Sequence, residues 1–406
     1  MAGALQQLAD FGLALDAEFE RADFDESRFP PLAARALGEA RLPERVSTDD
    51  VLRTFLQERA LPEQDDLPSA FGQPALTLFH GRRFYVQVLF WVDHTTSVHR
   101  HGFSGAFQVL RGASLHSEHD FVCERAVNAH LQVGQVRFLR AALLRRGDIV
   151  EITTGLAHNL FHLENPSATI VVRTYGEPAA QPQFNYSPPH MAVDPFYRDA
   201  VQTRRLQVLE LLHATDKPAC LAATAELLGR CDLLTAWRVL EESAYRLAFD
   251  PAMGELMAAA ERRHGSIVPD RLAPSIAPLL RYRRIERLRR DVKQFELRFF
   301  LALLLNVPTR QEILAVVAAT YPAADPLALV RGWLEALSGP ELIGIDLADE
   351  LNRLLVDSLL DGLPEERVLD RVRETYDDVE EQAAELREHL ALIRRSVLQP
   401  LFETSA

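Results

Sequence analysis

The chain has 406 residues, too many for one core of usual size, and nearly half of them are apolar with a quarter charged, the profile of an ordinary globular protein of two or three domains. A formal charge of −14 argues against a nucleic-acid partner, which needs a basic face to displace counterions. No run of 18 apolar residues occurs, so no membrane span is expected, and the N-terminus lacks the basic flank and cleavage site of a secretory signal. Cys123, Cys220 and Cys231 are too few and scattered for a disulfide framework or zinc cluster; a reducing cytoplasm fits them.

Residues 4–60 read as three helices, the last begun by Ser47 or Thr48 with Asp49 and Asp50 in its first turn. With the proline-bearing stretch that follows, residues 1–71 form a helical arm and linker. From residue 75 the period changes to that of short strands: ALTLF, RFYVQVLFW, GAFQVL, ASLHSEHDF, QVRFLRAALL, DIVEITT, AHNLFHL and ATIVVRTY, with turn residues between them. Eight such strands within about a hundred residues suggest a double-sheet jelly roll over 72–178. Phe84, Trp91, Phe107 and Phe161 are expected in its core. Residues 179–195 read as a proline-rich linker, and 196–406 as an all-α region of antiparallel helix hairpins. The fold class is therefore α+β and multidomain. The basic run Arg281–Lys293 is expected to be a solvated helix face, facing the acidic stretch 377–388.

Nine of the thirteen histidines lie between 80 and 162. In Ser97-Val98-His99-Arg100-His101-Gly102, alternate residues of a strand project to one face, so His99 and His101 can converge on one ion while Arg100 points away. His158 follows Gly155-Leu156-Ala157 at the start of a later strand. Neutral imidazoles suit transition metals rather than Mg or Ca, and a ligand that must be neutral should release its metal below about pH 6. His162 shares the face of His158 if that strand is regular, and is read as a partner of the ligands, a core histidine or a substitute ligand. Gln108 falls out of phase with the inward positions. His80, His94, His116, His119 and His130 read as surface or rim residues.

SVHRHGFSGAFQVLRG resembles the first motif of the cupin superfamily and GDIVEITTGLAHNLFHLEN the second. The pattern Phe84-x4-Leu89-x-Trp91, with Ser97 two residues before His99, is similar to the strand entering the metal site of thiol dioxygenases of the cysteine dioxygenase type. The resemblance covers about a quarter of the chain and implies a cupin barrel holding a divalent metal through His99, His101 and His158. Many cupins add a glutamate seven residues before the closing glycine of the first motif. Counting back from Gly112 lands on Gly105, which leaves a three-histidine site. Thr153 and His162 replace a proline and an asparagine of the second motif.

The resemblance implies a non-haem Fe(II) oxygenase acting on a small thiol or another chelating anion with O₂. Fe(II) heads the candidate metals, followed by Zn, Ni, Mn and Cu. Tyr175 resembles the tyrosine that thiol dioxygenases place near their iron, with a cross-strand aromatic as its other reading, and Arg173 shares its face and could meet an anionic substrate. No arginine occurs on Ala75–Phe79, where cysteine dioxygenases carry their carboxylate clamp, so free cysteine is expected to be a poor substrate. Rival readings are a metal-dependent isomerase or hydrolase, and a metal- or ligand-sensing cupin whose helices dock another protein. The helical arms are expected to cover the barrel mouth, and could form a homodimer interface.

Overall fold

The computed structural model describes residues 3–65, 71–176, 182–247, 250–337, 344–376 and 383–403. It divides into two compact units, one of Met1–Leu139 with Leu143–Leu279, the other of Leu280–Ala406 with Arg140–Ala142.

The first unit opens with helices α1 (Ala4–Arg21), α2 (Phe29–Ala40), the single turn α3 (Leu42–Arg45) and α4 (Thr48–Gln57). Ser47 caps α4, its hydroxyl accepting from the Asp50 amide at 3.4 Å. Nine strands follow: β1 (Ala75–His80), β2 (Phe84–Trp91), β3 (Val98–Arg100), β4 (Gly105–Arg111), β5 (Ser114–Asn128), β6 (Leu131–Leu144), β7 (Ile149–Ile152), β8 (Ala157–His162) and β9 (Ser167–Thr174). Two more, β10 (Asn185–Ser187) and β11 (Met191–Val193), lie in the stretch whose prolines suggested a linker. Residues 179–181 of that stretch, and 177–178 just before it, are outside the described residues. One sheet has the order β1-β2-β9-β4-β7; the other, β10-β11-β6-β5-β8-β3, closes on itself where β10 pairs with β3.

Period-2 alternation assigns each strand two distinct faces. On β2, Phe84, Val86, Val88 and Phe90 join Ala168, Ile170 and Val172 of β9 in a core shared with Leu8, Leu15, Phe19, Phe29 and Leu37 of α1 and α2. The intervening Gln87, Leu89 and Trp91 line the barrel cavity with Thr169, Val171 and Arg173. The N-terminal helices therefore back the outer face of the five-stranded sheet, where the sequence suggested a cover for the mouth. Phe84 belongs to this layer rather than to the barrel interior, in a cluster with Phe29 and Phe19 at centroid distances of 5.2 and 6.4 Å. Arg82 ties the β1–β2 turn to α1 through Asp16 at 2.8 Å and Glu20 at 2.6 Å.

The helices α5 (Ala200–Thr215), α6 (Lys217–Leu228), α7 (Leu233–Leu247) and α8 (Ala252–His264) complete the first unit up to the start of α9 (Ala273–Asp291). Arg238 of α7 donates to the Asp194 carbonyl just after β11 at 2.9 Å, so these helices are anchored to the barrel strands. Apart from Arg140–Ala142 of β6, the regular elements described in the second unit are helices. Its core includes Phe299, Phe300 and Trp333, with Phe300 and Trp333 rings 5.8 Å apart. The basic run differs from its expectation: Arg283, Arg287 and Arg290 are exposed, but Arg289 is fully buried and Arg281 donates to Gln399 at 3.0 Å. Residues 377–382 of the acidic stretch lie outside the described residues. No described helix is long and apolar enough to cross a membrane.

Candidate metal centre

His99 sits at the middle of three-residue β3, directly opposite His158 of β8, and His101 follows the strand by one residue. Their candidate ligand nitrogens all lie within 4.8 Å of one another, and all three side chains are buried. The Nε2 atoms of His101 and His158 face each other at 2.8 Å. Two lone pairs at that distance repel unless a proton or a cation lies between them. The separation suits two neighbouring ligands that each bind an ion at about 2.0–2.1 Å. His99 Nδ1 donates to the Ser97 carbonyl at 2.8 Å, which places its proton away from the cluster and leaves Nε2 as a donor to metal. The donor set fits a divalent transition metal held by three neutral imidazoles.

Gly105 stands where a carboxylate ligand would be sought, and it has no room for a side chain. A Cβ there would lie 1.9 Å from the Val172 carbonyl oxygen. Close approach of β9 thus forces glycine at 105 and removes the acidic ligand with it.

Burial pushes the His99 imidazole down to about 4, with the Ser97 carbonyl opposing, and desolvation holds His101 and His158 well below the usual histidine range. These groups are neutral when folded and charge near 6.5 when unfolded. Metal-free protein is therefore expected to hold its stability above pH 6.5 and to lose it as pH falls from there through about 4. Metal should correspondingly be retained at pH 5.5, below the limit that an unperturbed imidazole would set. Melting curves and metal content across pH 4–8 test this; a flat profile, or metal release centred at pH 6 or above, contradicts it.

Above the histidines lies a cavity of about 340 Å³ with largely apolar walls, among them Phe71, Leu89, Trp91, Phe103, Phe107, Ile152, Leu160 and Val171. Its polar lining is Gln87, Thr96, Thr169, Gln183 and Arg173. The Arg173 guanidinium stacks 3.6 Å over Phe103, whose ring is in turn 4.4 Å from His101.

Tyr175 and His162 lie outside the cavity lining. Tyr175 lies just past the end of β9, is 39% exposed and bonds His80 Nδ1 at 3.0 Å; it is not among the cavity-lining residues. His162 stacks on Trp91 at 4.5 Å and its Nδ1 meets the Ser114 and Ser167 hydroxyls at 2.8 and 3.0 Å, so it is a core histidine beside the site and no ligand. Gln108 faces away from the cavity and donates to the Gly147 carbonyl. His116, read from sequence as a rim residue, is buried against His158 with its Nε2 2.8 Å from His158 Nδ1. Its signal was the even spacing 114–116–118 on an inward strand face, legible only once β5 is registered against β8.

No protein-family model matches the chain, and no curated protein matches its sequence. Solved structures similar to part of the chain include hydroquinone 1,2-dioxygenase from Sphingomonas sp. TTNP3 (12% identity, 29% of this chain and 84% of that chain, TM-score 0.21). A cupin-2 domain protein from Shewanella frigidimarina aligns at 9% identity over 33% of this chain and 99% of that chain, TM-score 0.20. The DMSP lyase DddQ from Ruegeria pomeroyi aligns at 16% identity over 41% and 92%, TM-score 0.22. The barrel's two-sheet topology, with a three-histidine cluster carried by β3, its following residue and β8, agrees with the cupin fold that the two sequence motifs imply. A closed β-barrel with three histidines that could hold a metal ion, and with helical segments on both sides in sequence, is the class these features define.

Proposed function

We propose that this protein is a metal-dependent cupin enzyme, a non-haem Fe(II) oxygenase whose partners are a small chelating anionic substrate and O₂. The observation that carries the reading is the donor set: three buried neutral imidazoles, with no carboxylate joining them among the described residues, opening into an apolar cavity whose lining includes one guanidinium. His99, His101 and His158 would hold the ion. A bound iron supplies coordination of the substrate and activation of dioxygen. Because the three ligands are neutral, the cation's charge is left for the substrate to balance, and opposite charges attract strongly in a site of low dielectric.

The remaining residues position and exclude. Phe71, Phe103, Phe107 and Leu160 form part of the cavity's apolar wall. Gln183 accepts from the Gly102 amide at 3.2 Å and pins the turn beside His101. Arg82 cannot serve as a substrate clamp, since Asp16 and Glu20 hold it on the outer helix. Arg173 is the cation that lines the cavity, and an anionic group at the far end of the substrate would meet it there.

The test is oxygen uptake by iron-loaded protein against thiols, diketones and catechols, with metal content measured in parallel. Substrate-dependent uptake supports the reading. Turnover without oxygen would replace it with an isomerase or hydrolase, and tight ligand binding without turnover on any metal would replace it with a sensor. Arg173→Met is expected to weaken an anionic substrate about a hundredfold, the loss of a charge-assisted pair worth roughly 2–3 kcal/mol. A neutral analogue should be little affected. Equal effects on both would remove Arg173 from substrate recognition.

A further inference from the structure

The imidazole of His116 is buried on β5, and its Nε2 lies 2.8 Å from Nδ1 of His158, with the rings nearly perpendicular at 80°. The opposite nitrogen of His158, Nε2, is the one turned toward His101. For His158 to offer that lone pair to a metal, its proton must reside on Nδ1 and be donated to an acceptor. His116 Nε2 is placed to accept it, and the His116 proton then resides on Nδ1, 3.8 Å from the Glu118 carboxylate. Register fixes the arrangement: Glu118 pairs with His158 and His116 with Leu160, which puts both side chains on the face that carries the cluster. The ring edge of His116 also meets Phe107 at a centroid distance of 6.1 Å, so the imidazole has packing on a second side.

We infer that His116 is a positioning residue for the metal centre, selecting the tautomer of His158 and fixing its ring through the Nε2–Nδ1 contact, with the Glu118 carboxylate nearby but beyond hydrogen-bond distance. The inference rests on the three-histidine reading of the site but on no particular reaction. His99 has its own orienting acceptor in the Ser97 carbonyl, a backbone atom that cannot be mutated away. His158 instead depends on a side chain, so a single substitution can release its orientation.

The experiment is titration of metal-free full-length protein with Co(II), read by its visible absorption, for parent, His116→Leu and His116→Gln. Leucine fills the space without an acceptor; the glutamine amide oxygen can accept from His158. Affinity is expected to fall 10–100-fold in His116→Leu, with an altered Co(II) spectrum, and to return to within about threefold of parent in His116→Gln. Leucine binding as tightly as parent with an unchanged spectrum overturns the role, as does glutamine binding no better than leucine. A parent that binds no Co(II) overturns the metal centre and the role of His116 together. The expected affinity pattern without any oxygen uptake supports His116 and counts against the oxygenase reading alone.

Discussion

The His158→Ala protein is expected to purify with less than about a tenth of the metal held by the parent, and His99→Ala to behave alike. Structural zinc sites with four ligands bind with about 10–16 kcal/mol, so one imidazole lost from three costs on the order of 3 kcal/mol, a hundredfold or more in affinity. His158 occupies the centre of the cluster: its ring is 4.8 Å from His99, 5.0 Å from His101 and 5.0 Å from His116. His162→Ala provides the contrast. That ring packs on Trp91 and bonds two serines, so its loss should lower the melting temperature and leave metal content near parental. Elemental analysis of the three variants decides the matter. Full metal content in both His99→Ala and His158→Ala would remove the assignment.

The second large effect is expected at Gly105. Gly105→Ala puts a methyl group 1.9 Å from the Val172 carbonyl oxygen and 2.9 Å from the Arg173 Cα, both backbone atoms of the paired strand. No rotamer change relieves such a contact, so β4 and β9 must separate. A cost above about 4 kcal/mol is a large share of the roughly 5–15 kcal/mol that holds most domains folded. Insoluble protein, or a melting point at least about 10 °C lower, is the expected outcome. Gly254→Ala in α8, where an added Cβ meets nothing within 4 Å, should be neutral or slightly stabilising. A Gly105→Ala protein that melts with the parent would show that β9 can give way. The same crowding blocks the obvious engineering step of restoring a glutamate at this position.

Much of the site was legible because it depends on spacing alone. His-x-His on a strand places two imidazoles on one face whatever surrounds them, and His158 opens an alternating strand after a glycine turn. The rest depended on pairing between distant strands. Nothing within β5 announces that His116 lies beside His158, because the offset between two strands is a property of neither sequence. The strands β10 and β11 are three residues each, too short for periodicity to register among prolines. The helical backing of the five-stranded sheet did leave a trace: β2 reads FYVQVLFW, apolar in both phases, as a strand covered on both faces must. Tyr175 was placed by resemblance, and one residue past the end of β9 its side chain turns to His80 instead. Arg289 shows the reverse failure, since charge composition marks a face as solvated on average and does not prevent one guanidinium from entering a helical core.

The short strand that carries His99 has consequences for how the protein is made. β3 is held on one side by β8 and on the other by β10, where Asn185 stands opposite His99 and the Phe184 carbonyl accepts from the Arg100 amide at 3.0 Å. During synthesis the chain lengthens by about 5–20 residues per second, and domains fold as units when their parts are present. All three histidines leave the ribosome well before residues 185–187, yet the strand bearing the first of them gains its second neighbour only when those residues follow. The strand that carries His99 therefore has both neighbours only once residues 185–187 have followed, a little before the midpoint of the 406-residue chain.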